Sequence, residues 1–144
     1  MAHVQEDEVF SILTGKVSTA INRTFLRTFA QEGIDITTEQ WSVMACLWKK
    51  DNVSQQTLCT LTFKDKPSMT RLIDNLEKRN MVVRMPDKTD RRNNLIQLTP
   101  AGRALQQKAT AIVNSIAEKT LNNVSEDELD VSRVVLKKIM ANLQ

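Results

Sequence analysis

A mainly helical domain with one small β-hairpin is what the 144-residue sequence predicts, on three observations. Glycine and proline number three each, which argues for long helices and few loops. Apolar residues recur at three- and four-residue steps through most of the chain. Between Met81 and Leu98 that rhythm gives way to two short β-prone runs separated by a charged loop. One domain is the default at this length, with a core large enough to fold without staples.

The elements follow in order. Val9, Ile12, Leu13, Val17, Ala20, Ile21, Phe25 and Phe29 make one apolar stripe over residues 7–31, and Gly33 is its C-terminal stop. Thr37 and Gln40 have the spacing of a capping box, so a second helix begins near Thr38, with Trp41, Met44, Ala45 and Trp48 on its buried face. Asp51-Asn52 ends it, and Ser54 caps a short third helix containing Leu58 and Leu61. Asp65 caps the fourth, where Pro67 is tolerated because the missing N–H would have no partner in the first turn. Met69, Leu72, Ile73 and Leu76 sit at i, i+3, i+4 and i+7, which makes one face core. Asn80 ends this helix. Met81, Val82, Val83 and Met85 form a strand that Pro86 terminates, and Leu95, Ile96 and Leu98 return. The loop Asp87–Asn93 is too long for a two-residue turn and should project into solvent. Thr99 caps a fifth helix with Pro100 at its first position, striped by Leu105, Ala109, Ile112, Ile116 and Leu121. Ser125 and Glu128 open a sixth, through Leu129, Ser132, Val135, Ile139 and Leu143.

Charge is not spread evenly over these elements. Residues 1–53 carry five Lys and Arg against seven Asp and Glu, and residues 104–144 carry five of each. Residues 64–103 carry ten against five, so the excess behind the chain's net +3 sits in one place. Clustered positive charge attracts phosphate by counterion release, without reading sequence. A solvated charged surface is the bland alternative. The coincidence with a helix and a hairpin argues against it, because a helix fits a major groove and arginines on a slender tip enter a minor groove.

On the fourth helix Ser68, Thr70 and Arg71 lie off the core stripe near the N-terminal end, which a recognition helix presents to base edges. Arg71 can pair bidentately with guanine, and Ser68 and Thr70 can reach a base or a phosphate. Lys64, Lys66 and Pro67 open the same end, and Asn75 follows one turn after Arg71. Joined through Thr62-Phe63-Lys64, the third and fourth helices make a helix-turn-helix without the glycine of its tightest form. On the loop, Lys88, Arg91 and Arg92 are the candidate contacts. Asp90 would be repelled by phosphate, so its role is to hold an arginine or cap loop N–H groups.

The stretch PSMTRLIDNLEKRNMVVRMPDKTDRRNNLIQLTPAGRAL closely resembles the recognition helix and wing of MarR-type winged helix regulators. The resemblance covers essentially the whole chain and is most specific from Ser68 to Leu105. It implies a winged helix-turn-helix DNA-binding lobe over 36–99, wing about 81–99, and a helical dimerisation lobe from 1–35 and 100–144. It places the family's wing-tip arginine on Arg92 and its positioning aspartate on Asp90, in a D-x-R element. It implies a dimeric repressor or activator of double-stranded DNA, released by a small aromatic or anionic effector, by cysteine oxidation or by zinc. Asn80-Met81 stand where many members have glycine before the wing. The two terminal helices plus the first carry more apolar surface than a small winged lobe can cover. They are expected to interlock with their copies across a two-fold axis, giving a roughly palindromic operator.

Other chemistry is sparse. His3 is the one histidine and cannot build a metal site or a catalytic triad. Gly15, Gly33 and Gly102 are isolated, so no phosphate-binding glycine loop exists. Cys46 and Cys59 are most simply small core residues, with thiol-based redox sensing as the alternative. No enzyme activity, metal or other cofactor is expected. The rival function is a DNA-packaging protein of the same fold without sequence preference. MAHVQEDEVF is acidic where a signal peptide needs a basic region, and no apolar run approaches the roughly 18 residues of a membrane span. A cytoplasmic location without membrane contact is therefore expected, where both cysteines stay reduced.

Overall fold

The computed structural model describes residues 10–144. Six helices and three short strands follow in the order α1 (Phe10–Gln31), α2 (Thr38–Lys49), β1 (Val53–Ser54), α3 (Gln55–Thr62), α4 (Lys66–Lys78), β2 (Val82–Pro86), β3 (Asn94–Leu98), α5 (Pro100–Thr120) and α6 (Glu126–Leu143). The fold is mainly helical with a small antiparallel sheet. Val9 and His3 lie outside the described residues, as does the side chain of Ile12.

Helix starts obey local chemistry. Thr37 Oγ1 accepts from the Gln40 N–H while Gln40 Oε1 accepts from the Thr37 N–H, both at 3.1 Å, a complete capping box. Ser54, Asp65 and Thr99 cap α3, α4 and α5, and Ser125 with Glu128 repeats the box at α6. α1 stops at Gln31, and Gly33 follows with φ +72°.

The sheet has order β1-β3-β2, one strand more than the expected hairpin. Val53 pairs with Ile96 and Ser54 with Leu95, while β2 and β3 run from Val82↔Leu98 to Pro86↔Asn94. Pro86 thus belongs to β2 rather than merely ending it. β1 escapes a pattern search because two residues carry no period. It is held by its neighbour: Asp51 Oδ1 accepts from the Leu98 N–H at 2.9 Å, extending the edge of β3.

Phe29, Val43, Met44, Leu47, Leu58, Met69, Ile73, Leu76, Val82 and Ile96 are fully buried. The α4 face is the one predicted. On α2 the deepest side chains are Val43, Met44 and Leu47, whereas Trp41, Ala45 and Trp48 are half-buried at the margins of that face. The indoles sit at the edge for a reason: Trp48 Nε1 donates to the Gly102 carbonyl at 2.9 Å, and Trp41 meets Phe25 edge-on at 5.7 Å. On α3 Leu58 is buried, but Leu61 is 63% exposed and Cys59 takes the inward place. α3 is only two turns long and the chain leaves its axis at Phe63, so Leu61 stays largely in solvent.

α4, the sheet and α5 meet at one tight junction. Asn80 adopts φ +58°, supplying the left-handed residue for which glycine is usual. Thr99 Oγ1 donates to the Asn80 carbonyl at 2.5 Å, and the Thr99 N–H donates to the Met81 carbonyl at 3.1 Å. A Cβ at Gly102 would collide with the Met81 carbonyl oxygen, so only glycine fits there. α5 is therefore joined rigidly to the sheet and α4.

The terminal helices differ. α6 has no buried residue, and Val131 (63% exposed), Val134, Val135, Leu136, Met140 and Leu143 all face solvent. On α1 Phe25 and Phe29 are buried, but Leu13, Val17 and Ile21 are exposed. Together α1 and α6 bound an apolar groove of about 810 Å³.

Candidate nucleic-acid interface

α3 and α4 make the helix-turn-helix. Phe63 turns the chain with φ +55°, and the Lys64 N–H donates to the Cys59 carbonyl at 3.1 Å. A bulky residue in left-handed geometry replaces the absent glycine. Asp65 Oδ1 then accepts from the Ser68 N–H at 2.7 Å, opening α4. That N–H, with the Ser68 hydroxyl, holds the Asp65 carboxyl below its usual range, and Arg71 and Lys64 add to the effect.

The sequence candidates separate once placed. Lys66 and Pro67 are exposed in the first turn, and Arg71 and Asn75 are exposed beyond them. Arg71 Nη2 lies 3.5 Å from Ser68 Oγ, a contact loose enough for the guanidinium to leave. Thr70 is half-buried, and its Oγ1 accepts from Gln55 Nε2 at 2.8 Å. Lys64 is engaged with Glu39 of α2 at 3.3 Å.

At the other side of the interface the β2–β3 loop is braced by its own carboxylates. Asp87 Oδ1 accepts from the Thr89 hydroxyl at 2.7 Å and the Thr89 N–H at 2.9 Å, which keep its carboxyl below the usual range. Asp90 Oδ1 accepts from the Arg92 N–H at 3.0 Å and Oδ2 from Asn93 Nδ2 at 3.4 Å. Of the two expected roles, Asp90 thus caps loop N–H groups. Lys88, Arg91 and Arg92 are exposed, and none is in a salt bridge among the described residues.

A polar cleft of about 350 Å³ lies between the two halves, lined by Gln55, Lys66, Thr70, Arg84, Arg92 and Asn94 among others. Gln55, Arg84 and Asn94 are not among the sequence candidates. Gln55 follows the Ser54 cap and carries no pattern of its own. Arg84 counted only as one more basic residue, yet it is committed to Asp74 and Glu77. Arg79 and Arg103 are likewise within reach of Asp35 and Asp51, so the surplus charge of this segment falls on Lys66, Arg71, Lys78 and the loop.

Elsewhere, Cys46 is half-buried and Cys59 buried, and burial pushes both thiols up. Among the described residues no group of three or more His, Cys, Asp or Glu could hold a metal ion, and no helix is long and apolar enough to cross a membrane.

Comparison with known proteins places these elements in context. The MarR family profile matches residues 36–93, from the start of α2 to the end of the loop. The HTH-type transcriptional regulator SarZ of Staphylococcus haemolyticus is 30% identical over 108 residues, 75% of this chain and 72% of that protein. A cysteine-to-serine mutant of MarR from E. coli, crystallised with operator DNA, superposes with a TM-score of 0.81 at 24% identity, over 90% of this chain and 91% of that one. BpsR of Bordetella bronchiseptica, studied for regulation of its DNA binding by 6-hydroxynicotinic acid, gives 0.85 at 22% identity, over 96% and 98% of the two chains. These two structures share the fold.

Proposed function

The chain belongs to the MarR family of DNA-binding transcriptional regulators, and we propose that it acts as a homodimeric repressor on a palindromic operator. The observation that carries this reading is the pairing of the exposed α4 N-terminal end with the arginine-tipped loop across one cleft. Lys66, Pro67, Ser68, Thr70, Arg71 and Asn75 form the major-groove reader, with Arg71 aimed at guanine. Lys88, Arg91 and Arg92 form the wing tip, with Arg92 in the minor groove and Asp90 stiffening the loop beneath it. Lys64 contributes less than Lys66, because Glu39 offsets its charge.

Residues 36–99 are the DNA-binding lobe, and 1–35 with 100–144 the dimerisation lobe. The exposed stripes of α1 and α6 support this division, since a helix with no buried residue lacks the packing that keeps helices folded. A second copy supplies that packing. Two-fold symmetry then sets two α4 helices about 34 Å apart, matching half-sites one helical turn apart. Repression follows by occlusion of a promoter in the cytoplasm, without catalysis.

A small aromatic or anionic effector would release the DNA if it prefers another spacing of the two lobes. Trp41 Nε1 supports such a site, being buried without a hydrogen-bond partner between α1 and α2. The raised thiols of Cys46 and Cys59 favour the effector over thiol oxidation.

Footprinting and sedimentation of the full chain on DNA flanking its gene test the reading. The expected result is a dimer protecting two half-sites one turn apart, at least about 1,000-fold tighter than random duplex at physiological salt. Equal affinity for random duplex would make the protein a DNA-packaging one, and a stable monomer would remove the palindrome.

A further inference from the structure

Arg84 stands in the basic segment, but its charge is spent inside the protein. Its Nη2 lies 2.7 Å from Asp74 Oδ1, and its Nη1 lies 3.1 Å from Glu77 Oε1. Nη2 also donates to the Thr70 carbonyl at 3.3 Å, and the Arg84 backbone N–H donates to Glu77 Oε2 at 3.0 Å. Thr70, Asp74 and Glu77 are spaced i, i+4 and i+7, so one guanidinium spans two turns along a single face of α4. The Arg84 side chain is 20% exposed, so the fork is well covered even though its partners reach solvent. Such half-exposed ion pairs add little to stability. A planar fork meeting three acceptors instead fixes orientation, which a lysine's point charge does not.

What it orients is the wing. β2 and β3 form a slender ribbon whose loop begins one residue past Pro86, and any rotation at Arg84 is magnified at the tip. We infer that Arg84 is a positioning residue that sets the angle of the wing to the recognition helix, so that Arg71 and Arg92 meet the duplex together. The inference rests on the DNA-reading roles proposed for those two arginines. Asp74 lines the same cleft as Lys66 and Arg92. Arg84 therefore also neutralises a carboxylate that would otherwise face phosphate between the two readers, and the test must part the two effects.

The full chain is compared with Arg84→Met, Arg84→Lys and a triple variant, Arg84→Met with Asp74→Asn and Glu77→Gln. Without DNA, hydrogen exchange at the β2–β3 ladder should quicken about tenfold or more in Arg84→Met while α2 is unchanged, with Arg84→Lys between. Unchanged exchange in the ladder overturns the inference. With operator DNA, Arg92→Ala should weaken the wild type roughly 5- to 150-fold, yet have little further effect once Arg84 is Met. Effects that multiply in full would make the two arginines independent and overturn it. The triple variant should stay weak, because amides do not replace the ion pairs; its recovery to wild-type affinity would reduce Arg84 to a charge screen. Should Arg92→Ala prove silent in the wild type, the wing's DNA role fails, and the exchange result still decides the clamp.

Discussion

α4 and α6 carry apolar stripes of similar spacing and dispose of them in opposite ways. α4 buries Met69, Leu72, Ile73 and Leu76 within its own chain, against α2, α3 and the sheet. α6 buries none of Val131, Val135, Leu136 or Met140. Both patterns say that a face wants cover, and neither says whose atoms provide it. On the proposed dimer, the difference separates a region covered within one chain from a region that a second copy covers.

Loading charge onto α6 should break that comparison hardest. Val131→Asp with Val135→Asp would bury unpaired carboxylates in the proposed dimer interface, at about 3–5 kcal/mol each. Sedimentation should then find monomer or unfolded chain, with operator binding lost. A variant that stays dimeric would move the interface away from this face. Leu76→Ala is the matching change in α4. It leaves a cavity in a closed core and should cost about 2–5 kcal/mol of unfolding free energy, measured by denaturant melts, without favouring monomer. A third change should touch neither helix's packing. Arg92→Ala is expected to weaken operator binding by about 1–3 kcal/mol while thermal unfolding and dimerisation stay unchanged. Arg71→Ala should instead flatten discrimination between operator variants.

How legible each lobe was follows from the range of the forces involved. Thr37, Ser54, Asp65, Thr99 and Ser125 act within three residues of themselves, so their caps are readable from spacing alone. The α4 stripe is equally local. Trp41 and Trp48 lie at the margin of the buried face because inward facing depends on what lies opposite, and Trp48 answers to Gly102, 54 residues away. β1 exists only because Asp51 and β3 offer it a ladder. The basic segment was visible as composition, but Lys64, Arg79, Arg84 and Arg103 find carboxylates that no window of sequence connects with certainty.

The smallest expected effect lies at the N-terminal ends of the two helices. Behind Ser125, α6 opens on Glu126, Asp127 and Glu128, whereas α4 opens on Lys66 and Pro67 behind the single carboxylate of Asp65. Carboxylates satisfy the helix dipole at both ends, but the three exposed ones of α6 also repel phosphate, whereas at α4 the one carboxylate is turned onto the Ser68 N–H. The Asp65 carboxyl is held below its ordinary 3.8 by Ser68 first and by Arg71 and Lys64 after it. A carboxyl whose pKa falls on folding gives stability that is complete above the ordinary value and is lost as pH falls through the folded one. Asparagine caps a helix without that charge. Wild type should therefore melt above Asp65→Asn near pH 7, and the gap should narrow as pH falls below the ordinary carboxylate value. A gap that persists unchanged to pH 2 would assign the difference to cap shape alone. Binding should move the other way, since Asp65→Asn removes a negative charge beside phosphate and should tighten random-duplex affinity slightly while lowering the melt. Opposite signs from one substitution would show that this helix end compromises between holding itself together and holding DNA, a conflict the acidic end of α6 does not face.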